Sequence, residues 1–303
     1  MTVRVDTAEL VLDTRCTLGE GLVWDAAQER VLFVDIVERR VHAYVPATGA
    51  HRAWSAPAMI GWLVPTAAPD TWLAGLQGGV ARLRLDDARD EVADVTWLHR
   101  LHEDGSPMRL NDAKADARGR LWFGTMNAVN EDDPVGRFLR LRPEDPAPVA
   151  VDEGYRVTNG PTFSLDGRTL FHTDSAARRV YAFDVADDGA LSNRRRWLEV
   201  EGDPKVNGYP DGMTTDAEGN LWIARWGAGC VVQHAPDGRE LRRVMTGAPH
   251  TTNVAFAGPG LRDLYITSAR RNLSPERADA TRSGALFRLA DAGQGLPPRR
   301  WGG

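Results

Sequence analysis

Four residues with side-chain oxygen atoms precede apolar segments of this chain at nearly constant spacing. Glu20, Asn111, Asn159 and Asp211 each lie 11 to 13 residues before the aromatic residue of such a segment. In an architecture of repeated units, residues at one repeat position lie around a common axis. Four oxygen donors in such a ring are typical of a cation site.

The types of these side chains favour a divalent cation. Glu20 and Asp211 carry two negative charges, and Asn111 and Asn159 add neutral carbonyl oxygens. Ligation by oxygen alone favours Ca, Mg or Mn, and Zn or Fe(II) is also compatible. Two carboxylates in one channel repel each other when no cation is present. The alternative is that each Asn or Asp is an ordinary turn residue before a strand, but four in register favour a site.

A six-fold repeat supplies the elements that would position these side chains. Each repeat contains a short apolar segment, aromatic or β-branched, that reads as a strand, and a second strand follows after a brief gap. The apolar segments cover residues 31–36, 71–76, 121–126, 170–175, 221–226 and 264–269. The strands that follow them cover residues 40–45, 79–85, 137–142, 179–185, 230–235 and 285–290.

The repeat length indicates a propeller. The aromatic residues of successive apolar segments are 39 to 51 residues apart, and four-stranded units of about 40 to 50 residues are propeller blades. The sequence therefore predicts an all-β fold, a six-bladed β-propeller of four-stranded blades, as one domain over residues 1–303. A β-sandwich with fortuitous spacing is the alternative. Residues 273–280 predict a short helix in blade six, because Ser274 can cap it and Pro275 suits its first position.

In a propeller the first strand of each blade lines the central channel, so we expect the four oxygen-bearing residues at one mouth. Blades two and six place residues such as Trp62, His250 and Asn253 at the corresponding positions. The pocket should therefore have metal ligands on one side and apolar or hydrogen-bonding residues on the other. Trp24, Trp62 and Trp226 are candidates for its wall, because the face of a sugar stacks well on an aromatic ring.

Composition and charge exclude several classes of function. The chain has 37 basic and 42 acidic residues, a net charge of −5, and no basic patch that predicts nucleic-acid binding. It has no apolar stretch of membrane-spanning length and no signal-peptide pattern, so we expect no membrane association. Cys16 and Cys230 form no pairing pattern, which fits a reduced, cytoplasmic protein. We expect a monomer or a weak oligomer.

Motifs of other enzyme classes are missing from the sequence. There is no G-x-S-x-G elbow, no HExxH and no CxxC, so esterase, zinc-protease and dithiol chemistry have no support. His172 lies inside an apolar strand segment. We predict that it is a hydrogen-bonded core histidine rather than a catalytic base.

At these same residues the chain resembles the regucalcin–gluconolactonase family, and within it most closely the bacterial sugar-acid lactonases such as xylonolactonases. The matching segments are Leu18-Gly19-Glu20-Gly21, Arg109-Leu110-Asn111-Asp112, Thr158-Asn159-Gly160-Pro161 and Tyr209-Pro210-Asp211-Gly212. The resemblance extends over essentially the whole chain. It implies a six-bladed propeller with one divalent metal ion at the channel mouth.

The resemblance also implies roles for individual residues. Glu20, Asn159 and Asp211 match the metal ligands of the family, and Asp211 matches the residue proposed as general base. Asn111 matches a residue near the metal that contacts the substrate. Arg109 matches a substrate-binding arginine.

One position departs from the family pattern. The glutamate that regucalcin-type members use to bind substrate falls here at about Val129. The neighbouring residues Asn127, Asn130 and Glu131 are the candidates to replace it. This departure concerns the sugar preference more than the reaction. Asn127 and Trp226 are predicted as further substrate-binding residues.

The combined prediction is a metal-dependent hydrolase that opens a sugar lactone (an aldonolactone) to its sugar acid in sugar catabolism. The metal would polarise the lactone carbonyl, Asp211 would accept a proton from the attacking water, and Arg109 and Asn111 would hold sugar hydroxyls. One alternative is a metal-binding propeller without catalysis. The other is a different hydrolase on the same frame, of phosphotriesterase or glycosidase type. A glycosidase needs two carboxylates flanking the bond, whereas here amides separate the carboxylates.

Overall fold

Six β-sheets make up the fold and confirm the predicted six-bladed, all-β propeller. The structure is a computed structural model, and it describes residues 3–302. Each blade is a sheet of four antiparallel strands, and blade five carries a fifth strand at its outer edge. The inner strands of successive blades pack against one another, and blade six packs against blade one, so the sheets form a closed ring.

The first two strands of the chain complete the last two blades. Strand β1 (Arg4–Thr7) pairs in parallel with the outer strand of blade five, and β2 (Glu9–Leu12) is the outermost strand of blade six. Both strands lie at sheet edges and are largely exposed. The sequence did not predict them, because an exposed edge strand lacks the apolar pattern that marks the others.

Blades one to three follow one another directly along the chain. Blade one consists of β3 (Gly19–Asp25), β4 (Arg30–Asp35), β5 (Arg40–Val45) and β6 (Ala50–Ser55). Blade two consists of β7 (Ile60–Pro65), β8 (Thr71–Leu76), β9 (Gly79–Arg84) and β10 (Ala93–Arg100). Blade three consists of β11 (Met108–Ala115), β12 (Leu121–Asn127), β13 (Gly136–Leu141) and β14 (Val149–Tyr155).

The remaining blades include the few helical segments. Blade four consists of β15 (Thr158–Phe163), β16 (Thr169–Asp174), β17 (Arg179–Val185) and β18 (Leu191–Glu199). Blade five consists of α1 (Pro204–Asn207), β19 (Tyr209–Thr215), β20 (Leu221–Trp226), β21 (Cys230–His234) and β22 (Glu240–Met245). Blade six consists of β2 together with β23 (Thr251–Ala257), a 3₁₀ helix (Pro259–Leu261), β24 (Asp263–Ser268), α2 (Pro275–Ala280) and β25 (Leu286–Leu289).

The predicted segments match the second and third strands of every blade to within one residue at each end. The short helix of blade six is also confirmed. The Ser274 hydroxyl accepts a hydrogen bond from the Arg277 N–H at 3.4 Å, and Pro275 is the first helical residue. Local sequence signals therefore set these boundaries.

Turns before the second strands of blades three and five fix the tryptophans that fill the space between blades. The Asp116 carboxylate accepts hydrogen bonds from the backbone N–H of Arg120 at 3.1 Å and from Trp122 Nε1 at 2.8 Å. Asp216 binds Trp222 Nε1 in the same way, at 2.9 Å. Both indole rings are fully buried. Because a buried indole N–H needs a partner, the turn aspartate holds the ring in the core.

Two predictions that came from composition can be compared with the structure. Cys16 and Cys230 are both buried and both have free thiols. Burial raises the pKa of each thiol, which disfavours the reactive thiolate. Within residues 3–302, no helix has the length and hydropathy that crossing a bilayer requires.

Candidate active site

Each inner strand has a β-bulge or similar break in register at one mouth of the channel. The breaks lie between Glu20 and Val23, Ile60 and Trp62, Leu110 and Ala113, Asn159 and Thr162, Pro210 and Met213, and Thr251 and Val254. The four oxygen-bearing residues predicted to form a ring all lie within these breaks or at their edges. A bulge bends the strand and changes the direction of its side chains. Because the break recurs in every blade, it also helps to determine the direction of these four side chains.

Glycine is required next to two of the oxygen donors. Gly21 follows Glu20 with a φ of 61°, and Gly160 follows Asn159 with a φ of 69°. Only glycine adopts this left-handed region without a steric penalty. A Cβ atom on Gly21 would also lie 2.9 Å from the backbone oxygen of Gly61. The Glu-Gly and Asn-Gly pairs of the sequence therefore reflect the backbone of the bulge.

A cavity of about 320 Å³ opens at this mouth. Its wall contains six of the seven residues that the sequence predicted for metal and substrate: Glu20, Arg109, Asn111, Asn159, Asp211 and Trp226. All except Trp226 are buried, with at most 6% of their surface exposed. The structure therefore brings residues from blades one, three, four and five together around one space.

A chain of hydrogen bonds orients the two asparagines. Arg109 Nη1 donates to Asn111 Oδ1 at 2.5 Å, and Asn111 Nδ2 donates to Asn159 Oδ1 at 3.0 Å. Asn159 Nδ2 in turn donates to Ser175 Oγ at 2.8 Å. An amide oxygen has two lone pairs, so Asn159 Oδ1 can accept this bond and still bind a cation.

Asn253 connects the acidic side of the cavity to a further buried carboxylate. Its Nδ2 atom donates to Glu20 Oε2 at 2.7 Å and to Asp112 Oδ2 at 3.5 Å. The sequence did not identify Asp112 as a site residue, since strand alternation places it on the face opposite to Asn111. The break in β11 between Leu110 and Ala113 removes this alternation. The only available signal was its position directly after Asn111.

Negative charge accumulates in this part of the channel. Burial raises the pKa of Asp211 well above its usual range, and the charges of Glu20 and Asp112 raise it further. Burial and the Asp112 charge likewise raise the pKa of Glu20. Burial lowers the pKa of Arg109 to about 10. Bringing carboxylates together away from water disfavours their ionised forms, and a divalent cation compensates for such charge.

The donor set fits an oxygen-bound divalent ion only when amides are included. Among residues 3–302, no group of three His, Cys, Asp or Glu side chains is arranged to hold a metal ion. A metal site at this mouth would therefore have to combine the Glu20 and Asp211 carboxylates with an amide oxygen such as that of Asn159. Mixed carboxylate and amide ligation is typical of hard cations.

Of the three tryptophans considered for the aromatic wall, Trp226 lies on the wall of this cavity and Trp24 and Trp62 do not. The latter two line a separate cavity of about 370 Å³ at the opposite end of the inner strands. Trp62 lies within the blade because Gly75 leaves room for its ring: a Cβ there would be 2.2 Å from the indole. Trp226 stacks on His250 with ring centroids 4.0 Å apart and an interplanar angle of 9°. This stacking fixes the ring at the cavity wall.

His172 is a core residue, as predicted, but not a hydrogen-bonded one. Its ring is fully buried and stacks on Phe138, with centroids 3.8 Å apart. Neither ring nitrogen has a hydrogen-bond partner within residues 3–302. His172 does not contribute to the cavity wall.

Asn127 is the one predicted site residue that lies outside the cavity wall. Its Oδ1 atom accepts hydrogen bonds from the N–H groups of Val129 and Asn130, each at 3.0 Å. The side chain thus shapes the loop after β12. A role in substrate binding stays a prediction.

Known proteins resemble this chain over nearly its whole length. Residues 18–270 match the family described as the SMP-30/Gluconolactonase/LRE-like region. Pentonolactonase XacC of Haloferax volcanii is 37% identical over 300 residues, covering 97% of this chain and 98% of that protein. L-arabinolactonase of Azospirillum brasilense is 31% identical, covering 98% of this chain and 96% of that protein. The solved structure of the calcium-binding protein regucalcin from Agrobacterium tumefaciens superimposes with a TM-score of 0.90 at 26% identity, covering 99% of each chain.

Proposed function

The chain belongs to the SMP-30/gluconolactonase/LRE-like family, and from this premise we propose that it hydrolyses a sugar lactone to the open-chain sugar acid in sugar catabolism. The observation that carries the proposal is the single cavity lined by Glu20, Arg109, Asn111, Asn159 and Asp211. Relatives named pentonolactonase, L-arabinolactonase and 6-deoxy-6-sulfogluconolactonase support the substrate class. The cavity volume of about 320 Å³ suits one small sugar lactone.

Glu20, Asn159 and Asp211 would hold one divalent metal ion, for which Ca, Mg, Mn, Zn and Fe(II) are all candidates. Such an ion supplies Lewis acidity toward the lactone carbonyl when bound. The calcium-binding description of the structurally similar regucalcin supports a divalent ion.

Asp211 is proposed as the general base. Its carboxylate lies on the cavity wall, and a divalent cation held there would favour its ionised form, which is the form that accepts a proton. Asp211 removes a proton from the attacking water as the water oxygen bonds to the carbonyl carbon. When the ring C–O bond breaks, the proton passes to the leaving ring oxygen, which becomes a hydroxyl. The product is the open-chain acid.

Arg109 and Asn111 are proposed to position the sugar. Arg109 is buried beside Asn111 and is a fixed positive charge on the cavity wall. Its guanidinium donates hydrogen bonds to hydroxyl or carbonyl oxygens. The Asn111 amide N–H groups bind the Thr158 carbonyl and Asn159 Oδ1, so Asn111 would use the second lone pair of its Oδ1 atom to accept a hydrogen bond from a sugar hydroxyl. Trp226 offers a ring face held by His250, and sugars stack well on such a face. Asn127 is proposed to affect substrate binding through the shape of the loop after β12.

The experiment is a panel of sugar lactones, organophosphates and nitrophenyl glycosides, assayed by pH indicator or chromophore release. The protein is first treated with a chelator and then supplied with each divalent ion. We expect metal-dependent acid release from lactones. Asp211→Ala should abolish turnover and weaken metal binding, while Asp237→Ala, in an exposed turn of the same blade, should not. Near wild-type lactone hydrolysis by Asp211→Ala would refute the mechanism, and metal binding without any hydrolysis would favour a non-catalytic propeller.

We also propose that residues 1–303 form one domain that acts in the cytoplasm as a monomer or weak oligomer, with no nucleic-acid or membrane partner. The free thiols of Cys16 and Cys230 suit a reducing compartment. The net charge of −5 disfavours contact with nucleic acid. Size-exclusion chromatography with light scattering tests the oligomeric state.

A further inference from the structure

The loop after β12 uses its asparagines to maintain its own shape. Asn127 Oδ1 binds two backbone N–H groups of the loop, and its Nδ2 atom donates to Asp133 at 3.3 Å. Asn130 Oδ1 accepts from the Asp132 N–H at 3.3 Å. Such local bonds to the backbone are typical of turns. Neither asparagine lies on the cavity wall.

The same loop places two acidic residues, Glu131 and Asp132, on the cavity wall and directs its apolar residue away. Val129 is 84% exposed and lines an outer groove with Met59 and Pro107 instead of the cavity. Glu131 lies on the cavity wall and is half-buried, whereas Asp132 beside it is exposed. Of these two residues, Glu131 is the less exposed and therefore the better placed to contact a sugar in the cavity.

Glu131 forms an ion pair across the mouth of the channel. Its Oε1 atom lies 2.7 Å from Arg271 Nη2. Glu131 follows the second strand of blade three and Arg271 follows the second strand of blade six, so the pair joins opposite sides of a six-membered ring. The Arg271 backbone is anchored, because its N–H donates to the Thr17 carbonyl at 3.0 Å and its carbonyl lies 3.0 Å from His250 Nδ1.

We propose that Glu131 and Arg271 together bind two neighbouring hydroxyls of the sugar lactone and so select polyhydroxylated substrates. This inference rests on the proposed lactone hydrolysis and names the part of the substrate that is recognised. A carboxylate accepts a hydrogen bond from one hydroxyl, and a guanidinium donates to the next. The side chains are 42% and 27% exposed, so their own pairing contributes little to folding and is readily exchanged for a ligand.

The charges of Glu131 and Arg271 also act on Arg109, the proposed substrate-binding arginine. The two charges shift the pKa of Arg109 in opposite directions. The pair therefore adds no net charge at the mouth, which suits an uncharged lactone. A lone glutamate would favour a cationic ligand, and a lone arginine would favour an anion. The pair thus points to a neutral polyol group.

The test compares KM and kcat on a polyhydroxylated sugar lactone and on δ-valerolactone, which has no hydroxyls. Glu131→Gln should raise KM for the sugar lactone roughly tenfold, since it removes one charged hydrogen bond. Its kcat should change by less than about twofold, because Glu131 acts in uniform binding. Neither constant should change for δ-valerolactone. The control is Glu153→Gln, which removes an exposed ion pair with Arg137 in the same blade and should alter nothing.

A double-mutant cycle tests the shared site. Arg271→Met should raise KM similarly, and the double variant should be little worse than either single variant, because the two side chains act on one pair of hydroxyls. Equal losses on both lactones, multiplicative losses in the double variant, or no change in Glu131→Gln would overturn the inference. Unchanged thermal melting of the variants shows that they fold.

Calorimetric titration of the same sugar lactone and its acid into wild type and Glu131→Gln gives a second measurement. Tenfold weaker binding in the variant supports the inference even for a wild-type protein that hydrolyses no lactone, in which case only the proposed function fails. Equal affinities overturn the inference.

Discussion

Replacing His172 by phenylalanine should make the protein more resistant to acid without harming catalysis. The imidazole has no exposed surface, stacks on Phe138 and lacks hydrogen-bond partners among residues 3–302. Burial lowers its pKa from 6.5 to about 3, and the Arg194 charge acts in the same direction. A phenylalanine ring retains the stacking and cannot take up a proton.

The size of the effect follows from the two protonation equilibria. Below pH 6.5 the unfolded chain binds a proton at His172, while the folded chain does so only near pH 3. Folding stability is therefore unaffected above pH 6.5 and falls as the pH drops between these values. At pH 5 the loss from this one residue is about 2 kcal/mol. The free energy of unfolding of His172→Phe minus that of wild type should therefore be about 2 kcal/mol larger at pH 5 than at pH 7.5.

Urea unfolding at pH 7.5 and pH 5, at equal ionic strength and with chelator present, measures the difference. The control is lactone hydrolysis at pH 7.5, where kcat should stay within about threefold of wild type for a substitution away from the cavity. A stability difference that is the same at both pH values would refute the protonation argument. A hundredfold loss of kcat with an intact fold would refute the assignment of His172 to the core.

Three further changes have defined outcomes. Gly21→Ala should lower the unfolding free energy by about 2 kcal/mol, because of its positive φ and the nearby Gly61 oxygen, and should reduce hydrolysis. Gly49→Ala, with a φ of 72° but open space around its Cβ position, is the control, and equal losses would contradict the steric argument. Trp226→Ala should raise KM about tenfold by removing the stacking face. An unchanged KM would show that the sugar does not stack on this ring. Deleting residues 1–12 removes β1 and β2, and calorimetry should show a lower and broader transition; an unchanged transition would show that the ring closes without them.

The fold could be predicted from the sequence because similar short sequence patterns recur from blade to blade. A turn aspartate, an aromatic residue and a second apolar strand recur, and contacts such as Asp116 to Trp122 are local in sequence. Because the inner strands repeat the same geometry from blade to blade, the residues at one repeat position lie around one cavity. These parts of the prediction depended on short-range relations within a blade.

The residues that the sequence missed depend on backbone irregularity or on contacts between distant blades. Asp112 faces the channel because of a break in strand register, and strand alternation predicts the opposite. Trp62 lies in the core because the residue across from it, Gly75, has no side chain. Arg271 reaches the mouth from a blade that is about 140 residues away from Glu131 in sequence, and no local pattern encodes such a pairing.

The pairing of β2 with β25 has a consequence for synthesis on the ribosome. Residues 9–12 are made long before the strand with which they pair, Leu286–Leu289. Throughout translation the early strand has no native partner, and the growing arc of blades exposes one apolar flank at each end. The final fold therefore becomes available only after residues 286–289 have emerged, and the nascent arc is the state most in need of protection from aggregation.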